Sequence, residues 1–269
     1  MEKKETKLLH AITEYDIINE RMKKMQKDLK IQHHGRAMDA TIFLPNKSQC
    51  PIVIFCHGFN GYKDDFREIA EHLLIHEIGS LMITFCGSGA RDKSGFATTN
   101  MTLFTEREDL FAAMDYAKSL PQFNGKLFLF GGSQGGMICA LAAQARPDDI
   151  CAMALLFPAL CIPDNWNSRF PQNDDIPDEI ELWKVRLGRQ FVETLRGLDI
   201  YADMGNFKSP VLIMHGSDDE VVPISYSERA TKIFPHAEQI AYNGEGHGFR
   251  KDAMRDVTHR LLTLIQQNS

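Results

Sequence analysis

The stretch Lys126-Leu127-Phe128-Leu129-Phe130-Gly131-Gly132-Ser133-Gln134-Gly135-Gly136 decides the fold of this chain of 269 residues. It begins with an apolar run of strand length, and the segment after it, residues 137–145, is rich in helix formers and stops before Pro147. Between the two, residues 131–135 match G-x-S-x-G, a pattern in which a serine stands on a tight elbow between a strand and a helix. The sequence therefore predicts a strand, a strained elbow with Ser133 at its tip, and a helix.

The glycines around the serine fit such an elbow better than they fit a phosphate-binding loop. A residue in a strained conformation needs neighbours without bulky side chains, and Gly131 and Gly135 occupy the two positions concerned. The helix that follows would direct its unpaired backbone N–H groups toward the elbow. Glycines at 131, 132, 135 and 136 fit neither G-x-G-x-x-G nor G-x-x-x-x-G-K-[ST], although an ordinary strand-to-helix turn remains the alternative.

A cluster of carboxylates follows a second strand-like run. Residues 210–214 are continuously apolar, as in a buried parallel strand, and His215-Gly216-Ser217-Asp218-Asp219-Glu220 comes directly after them. Open α/β sheets build their sites in the loops at the carboxyl ends of their strands. A serine hydroxyl needs a base that a carboxylate orients, and three residues compete to be that carboxylate, namely Asp218, Asp219 and Glu220.

The candidate base is His247, in the segment Gly244-Glu245-Gly246-His247-Gly248-Phe249. It follows a strand-like run over residues 237–242 and precedes a segment of helical periodicity, and its flanking glycines would let the ring turn toward the serine. His215 stands at a strand end, where we expect it to support the site through hydrogen bonds. The other histidines in polar or helical settings are interpreted as surface or satisfied residues: His10, His33, His34, His72, His76, His236 and His259.

Two backbone N–H groups are candidates for binding an oxyanion. Gln134, the residue after the serine, supplies one of them. The other lies in His57-Gly58-Phe59-Asn60-Gly61, the loop after the apolar run of residues 51–56, where Gly58 lets the backbone turn inward and the Phe59 N–H is the predicted donor. His57 has a second interpretation as a base, but its place before the elbow favours a role in stabilising the loop.

On these residues the chain resembles serine esterases of the α/β-hydrolase fold, and most of all the bacterial cinnamoyl or feruloyl esterases. The resemblance covers nearly the whole chain beyond about residue 28 and rests on segments 57–59, 131–136, 155–159, 177–210, 215–219 and 246–248. It implies a mostly parallel twisted sheet with helices on both faces, and a nucleophile, an acid and a base in that chain order. The family pattern H-G-x-x-D-x-V-x-P then selects Asp219 as the acid between Ser133 and His247.

One loop departs from the family pattern. Relatives usually carry D-x-x-G-x-G-x-S after the fourth strand, whereas this chain has Ile83-Thr84-Phe85-Cys86-Gly87-Ser88-Gly89-Ala90, with Thr84 in place of the acidic residue. The hydrogen bonding of this loop, and with it the substrate preference, is therefore open at this point.

Composition limits the partners and the compartment. A net charge of −6 and a pI near 5.9 argue against nucleic acid or an anionic membrane surface, and no apolar run approaches the roughly 18 residues of a spanning helix. The charged start, residues 1–7, lacks a signal-peptide core, and six cysteines without C-x-x-C spacing indicate free thiols in the cytoplasm. We expect a small-molecule ester as substrate, no cofactor and no metal, and we leave a homodimer open.

Residues 1–269 are expected to form one domain with an insertion. Strands that alternate with helices predict a mostly parallel sheet, which begins with a hairpin over residues 28–44 that turns at His33-His34-Gly35-Arg36. Residues 158–207 interrupt this alternation because they are acidic, broken by prolines and partly aromatic, and we interpret them as a cap over Ser133. A surface excursion is the alternative, and four aromatic residues compete to line the pocket: Trp166, Phe170, Trp183 and Tyr201.

The function predicted from these residues is hydrolysis of a carboxylic ester, of which a cinnamoyl or feruloyl ester is one form, through an acyl-enzyme on Ser133. Thioesterases, peptidases and carbon–carbon bond hydrolases use the same machinery and remain alternatives. A binding protein that kept the fold without catalysis is a further alternative, which the intact Ser133, Asp219 and His247 disfavour.

Overall fold

The computed structural model describes residues 25–269, so the charged start of the chain lies outside the described residues. Ten strands are described: β1 (Gln26–His33), β2 (Arg36–Phe43), β3 (Cys50–Cys56), β4 (Gly79–Ile83), β5 (Phe123–Gly132), β6 (Ala152–Leu156), β7 (Glu179–Leu182), β8 (Val185–Gly188), β9 (Val211–Gly216) and β10 (Ala237–Tyr242). Eight of them form one sheet in the order β1-β2-β4-β3-β5-β6-β9-β10, and β7 pairs only with β8.

The sheet is mostly parallel, as the sequence predicts. The β1–β2 hairpin is antiparallel and turns at His34 and Gly35, whose φ angles of 43° and 73° match a tight two-residue turn. The pair β2–β4 is also antiparallel, whereas every pairing from β4 to β10 is parallel. The carboxyl ends of β3, β5, β9 and β10 therefore lie at one edge of the sheet, and the predicted site residues follow these four strands.

Helices cover both faces of the sheet. The seven α-helices of residues 25–269 are α1 (Arg67–Ile75), α2 (Leu103–Ser119), α3 (Gln134–Ala145), α4 (Ile162–Arg169), α5 (Arg189–Glu193), α6 (Ser225–Ile233) and α7 (Lys251–Asn268). Apolar side chains of α1 and α7 pack on one sheet face, with Leu73 and Leu261 fully buried. On the other face Leu110 of α2, Ile138 of α3 and Ala230 of α6 belong to a larger core.

We call the chain between β6 and β9, residues 157–210, the β6–β9 segment. It contains α4, the β7–β8 hairpin and α5. Its buried side chains, among them Leu187 and Phe191, join the core on the α2–α3 face, so the segment is attached to the sheet by apolar contacts. The two residues at the tip of the hairpin, Trp183 and Lys184, have φ angles of 48° and 66°, which a two-residue hairpin turn requires but which glycine or asparagine usually supply.

The sequence did not predict α4, the β7–β8 hairpin, α5, α6 or strand β6. Strand β6 is only five residues long and is wholly buried, so no alternation of apolar and polar side chains marks it in the sequence. The six cysteines are free thiols in the structure, five of them buried. In residues 25–269 no helix is both long enough and apolar enough to cross a membrane.

Candidate active site

Ser133 stands at the strained elbow that its sequence context predicts. It lies between the end of β5 and the start of α3 with φ 53° and ψ −122°, a conformation that costs a residue with a side chain about 1–3 kcal/mol. Neighbouring backbone holds it there, because its N–H donates to Leu156 O at 2.9 Å and its carbonyl accepts from Ala159 N at 2.9 Å. Strand β6 therefore fixes the orientation of the serine.

The structure brings the three predicted side chains of the triad together. The Nε2 atom of His247 lies 2.9 Å from Ser133 Oγ, and its Nδ1 lies 2.8 Å from Asp219 Oδ2. Because an ionised carboxylate can only accept, Nδ1 carries the hydrogen and Nε2 is free to accept the serine proton. These residues come from three loops at the same sheet edge, 114 and 28 residues apart in the chain.

Asp219 is the carboxylate that reaches the histidine, whereas its neighbours Asp218 and Glu220 are exposed. Its other oxygen, Oδ1, accepts the N–H groups of Val221 at 2.9 Å and Val222 at 2.8 Å. These two bonds close a tight turn around the carboxylate and leave Oδ2 for the imidazole. The choice among the three acids therefore depends on backbone geometry.

His215 has the supporting position that the sequence indicates. Its ring is fully buried, with Nδ1 2.7 Å from Ser227 Oγ and Nε2 2.9 Å from Val222 O. The Nε2 hydrogen therefore donates to Val222 O and also faces Asp219 Oδ2 at 3.3 Å. Burial lowers the pKa of His215, so the ring is neutral and ties the start of α6 to the turn that carries Asp219.

Phe157, which the sequence analysis did not single out, packs on the base. Its ring centroid lies 4.7 Å from that of His247, and its φ of 37° turns it back from the end of β6 toward the imidazole. In the same glycine-rich loop as His247, Glu245 forms an ion pair with Arg250 at 2.7 Å. Phe157 could not be singled out because its position depends on β6, a strand that the sequence did not predict.

The two predicted oxyanion donors lie beside the nucleophile. A Cβ atom added to Gly58 would lie 3.1 Å from Ser133 Cβ and 3.6 Å from Ser133 Oγ, so the loop after β3 passes directly over the serine. Within residues 25–269 neither Phe59 N nor Gln134 N has a hydrogen-bond acceptor. Two adjacent N–H groups without acceptors are the arrangement that an oxyanion hole needs.

His57 holds this loop, and both of its ring nitrogens bond to backbone groups, so neither is left to act as a base. Its Nε2 accepts the N–H of Phe85 at 3.1 Å, so the hydrogen is on Nδ1, which donates to Gly58 O at 2.7 Å. In a planar trans peptide the C=O and N–H groups point in opposite directions. The bond that draws Gly58 O toward the ring therefore turns the Phe59 N–H toward the site. Burial lowers the pKa of His57, which keeps the ring neutral in this role.

The backbone N–H groups that follow Thr84 donate to carboxylates at other positions of the chain. Thr84 Oγ1 accepts the N–H of Lys63 at 3.1 Å, and no acidic side chain stands at this position. The following N–H groups instead donate to Asp109 of α2, which accepts from Cys86 N at 2.7 Å, and to Asp92, which accepts from Gly87 N at 2.8 Å. The departure from the family pattern is thus compensated by acids from other positions.

A cleft of about 220 Å³ opens beside Ser133 and is mostly apolar. Most of its wall comes from the β6–β9 segment, which contributes Ile162, Trp166, Leu182, Trp183 and Phe191 together with the polar Asn165 and Arg169. The rest comes from Phe59, Ser133, Gln134, Val221 and Val222. Of the four aromatic residues that competed for the pocket, Trp166 and Trp183 line it. Phe170 instead stacks behind Trp166, and Tyr201 bonds to Tyr226 O at 3.1 Å, away from the cleft.

Glu106 is a second residue that the sequence analysis missed. It lies on the buried side of α2, is 1% exposed and accepts a hydrogen bond from Gln134 Nε2 at 2.7 Å. Loss of solvation raises the pKa of its carboxyl to about 8. Its signal was an acid in the apolar stripe of a helix, between Leu103 and Leu110.

One group of possible metal ligands is present in the part of the chain that the structure describes. His33, Cys86 and Asp109 bring a nitrogen, a sulfur and an oxygen within 4.8 Å of one another. However, Arg36 Nη1 lies 3.1 Å from the Asp109 oxygen that also faces His33, and burial raises the pKa of the Cys86 thiol. A guanidinium on the same oxygen and a protonated thiol both disfavour a cation, so we interpret the group as a buried ion pair.

The sheet and its site together define a class of protein. A mostly parallel eight-stranded sheet carries a serine on an elbow after β5, an acid after β9 and a histidine after β10, with helices on both faces. This arrangement is the α/β-hydrolase fold.

Comparison with protein families agrees with this class. The family model for "Serine aminopeptidase, S33" matches residues 47–175, and that for "alpha/beta hydrolase fold" matches residues 152–249. The first match contains the elbow and the second contains Asp219 and His247. The two matches together span residues 47–249, and the chain has the α/β-hydrolase fold.

The individual relatives share about a quarter of their aligned residues with this chain. The solved structure of Est1E from Butyrivibrio proteoclasticus with bound ferulic acid is similar with a TM-score of 0.82 and 27% identity, over 89% of this chain and 98% of that one. The uncharacterised protein YqkD of Bacillus subtilis is 25% identical over 72% of this chain and 64% of its own length. Human palmitoyl-protein thioesterase ABHD10 is 24% identical over 66% of this chain and 60% of its own length. The chain thus spans less than two thirds of these two curated relatives.

Proposed function

We propose that this protein hydrolyses carboxylic esters through an acyl-enzyme intermediate on Ser133. The observation that carries the proposal is the position of His247, whose two ring nitrogens lie 2.9 Å from Ser133 Oγ and 2.8 Å from Asp219 Oδ2. A histidine so placed can take the serine proton while the carboxylate stabilises the imidazolium that forms.

The proposed reaction uses each part of the site once per half-cycle. Ser133 Oγ attacks the ester carbonyl as His247 Nε2 accepts its proton, and the N–H groups of Phe59 and Gln134 bind the oxyanion. His247 then gives that proton to the leaving alcohol, and the carbonyl reforms as an acyl-enzyme. A water molecule attacks the acyl group in the same way, which releases the acid and restores the serine.

The shape of the cleft supports a compact, flat acyl group. Its volume of about 220 Å³ is below the roughly 300–1,000 Å³ of pockets that hold drug-sized ligands. The indole rings of Trp166 and Trp183 and the ring of Phe191 supply flat apolar walls. An aryl or cinnamoyl-type acyl group fits such walls, and similarity to the Est1E structure that holds ferulic acid supports the same class. In this proposal residues 158–207 act as the cap that selects the acyl group.

Thioester hydrolysis is the second candidate. The observation that favours it is the similarity to ABHD10, which is named a palmitoyl-protein thioesterase. A thioester has the same carbonyl and a better leaving group, so the same triad and donors serve it. A long acyl chain would, however, exceed the cleft beside Ser133.

A substrate panel tests the proposal and separates it from the alternatives. Matched aryl ester, thioester and anilide substrates with one acyl group would be compared by kcat/KM, together with labelling by a fluorophosphonate probe. We expect the probe to label the protein, and the ester to be cleaved at least a hundredfold faster than the anilide, because amides are poorer acylating groups. A preference for the anilide would overturn the esterase assignment, and a protein that the probe does not label would not be a serine hydrolase.

Trp183 gives a test of the acyl-binding cleft. The side chain is 58% exposed at the hairpin tip and lies 5.8 Å, between ring centroids, from Phe59. Trp183→Ala is expected to raise KM for a cinnamoyl ester by roughly threefold to tenfold, because an aromatic pair contributes about 0.5–1.5 kcal/mol. KM for an acetyl ester should stay within about twofold, since that group is too small to reach the indole.

Lys184→Ala is the matched control for this variant. It changes the other residue of the same hairpin turn, also at positive φ, without altering the cleft wall. Equal losses on acetyl and cinnamoyl esters in Trp183→Ala, or the same effect in Lys184→Ala, would show that the hairpin matters only for folding.

A further inference from the structure

Glu106 lies directly behind the nucleophile elbow and has no part in the reaction described above. Its carboxyl is enclosed between α2 and the start of α3 and is 1% exposed. Its hydrogen-bond partner is Gln134, whose side-chain Nε2 lies 2.7 Å from Glu106 Oε2 and whose backbone N–H is one of the two oxyanion donors. Gln134 therefore connects the buried carboxyl of Glu106 to the position where the oxyanion would form.

The surroundings of Glu106 favour its uncharged form. Asp109, one helical turn along α2, is a buried carboxylate whose Oδ1 lies 3.1 Å from Arg36 Nη1 and 2.9 Å from His33 Nε2. The Arg36 guanidinium pairs with Asp109 and not with Glu106. From β3 the group that faces Glu106 is the thiol of Cys56, which burial keeps protonated by raising its pKa. Glu106 thus has neighbours of negative or neutral character and loses its hydration on folding.

We propose that Glu106 is a positioning residue that holds Gln134 through an uncharged carboxylic acid and that limits activity at alkaline pH when it ionises. This inference rests on the proposed acyl-transfer function. The protonated acid accepts the Gln134 side-chain hydrogen bond and so fixes the first residue of α3, which presents its backbone N–H to the oxyanion. Ionisation adds a negative charge on the same side of the elbow as that oxyanion.

The expected size of the effect follows from the distance. The length of the Gln134 side chain and the hydrogen bond place the carboxylate roughly 8–10 Å from the oxyanion, where two like charges at an effective dielectric constant near 20 slow the reaction by roughly fifteenfold to thirtyfold. A triad alone predicts that the rate reaches a plateau once the histidine is neutral.

The pH dependence of kcat/KM tests the proposal. For the wild-type protein we expect kcat/KM to reach a plateau and then to fall by roughly fifteenfold to thirtyfold around pH 8, where Glu106 ionises. Glu106→Gln keeps an acceptor for Gln134 Nε2 but cannot ionise, so its profile should rise to a plateau. Glu106→Leu removes the acceptor, and its rate should be reduced across the whole range.

Glu108→Gln is the matched control, because it makes the same substitution on the same helix at a residue that is partly exposed and paired with Arg107. Its profile should match that of the wild-type protein. An alkaline fall that persists unchanged in Glu106→Gln, or that disappears in Glu108→Gln as well, would overturn the proposal.

Thermal unfolding separates this proposal from the proposed function, because it needs no substrate. The folded protein binds the Glu106 proton more tightly than the unfolded chain, where glutamate has a pKa of 4.5, so this stabilisation is complete below that pH and is lost as pH rises to about 8. The melting temperature of Glu106→Gln should therefore gain on that of the wild type over this interval. If no ester is cleaved but this gain appears, the assigned reaction fails and the buried acid stands; if the gain is absent, Glu106 is not the uncharged group.

Discussion

Ser133→Ala should abolish ester hydrolysis, with kcat reduced by about 10⁴ to 10⁶, whereas the fold should remain intact. The loss is large because the triad acts as one unit, and a base without a nucleophile accelerates only what the oxyanion donors alone can promote. The structure indicates why folding survives. Ser133 Oγ bonds to His247 at 2.9 Å, whereas the elbow is held by the serine's backbone N–H and carbonyl, which alanine keeps.

The measurement is kcat for an aryl ester together with the melting temperature and fluorophosphonate labelling. We expect no labelling and a change in unfolding free energy within about 1 kcal/mol. Ser119→Ala is the matched control, because Ser119 is exposed at the end of α2 and donates only to the carbonyl of Tyr116. A Ser133→Ala protein that keeps more than about a hundredth of its activity would remove Ser133 from the role of nucleophile.

Gly135→Ala should destabilise the fold by about 3 kcal/mol or more, a large effect for one methyl group. A Cβ at this position would lie 2.2 Å from Cys56 O and 2.4 Å from His57 O, and both atoms belong to the backbone. No side-chain rotation can relieve such contacts, so the end of β3 and the start of α3 must separate. Because β3 leads into the oxyanion loop, a shift of about 1 Å there should also cost roughly a hundredfold in kcat/KM.

The melting temperature should fall by about 6–12 °C in Gly135→Ala, given that 1 kcal/mol corresponds to about 2–4 °C for a domain near this size. Gly205→Ala is the matched control, since the nearest atom to its added Cβ is Ile233 O at 3.9 Å and its φ is not positive. That variant should change stability by less than about 1 kcal/mol. Equal melting temperatures for wild type and Gly135→Ala would show that the elbow tolerates a side chain there.

The elements with strong local patterns could be predicted from the sequence. The apolar runs that became β3, β5 and β9 and the hairpin of β1 and β2 appear where their patterns indicate. Strand β6 escaped because five buried apolar residues have the same pattern in a strand and in a buried helix. The strand mattered for the site, since its end binds the serine backbone at Leu156 and carries Phe157.

The sequence by itself determined which residue types stand at the candidate site. Ser133 between glycines, Asp219 after an apolar run and His247 between glycines are residue types that acyl transfer requires, at loop positions that local pattern alone marks. The tertiary structure decided how these groups are held and what they can bind. In the folded chain His57 bonds to Gly58 O, Glu106 accepts a hydrogen bond from the Gln134 side chain, and Trp166 and Trp183 line the cleft. The reason is that these contacts join residues far apart in the chain, whose side chains meet only when the sheet brings their elements to one edge.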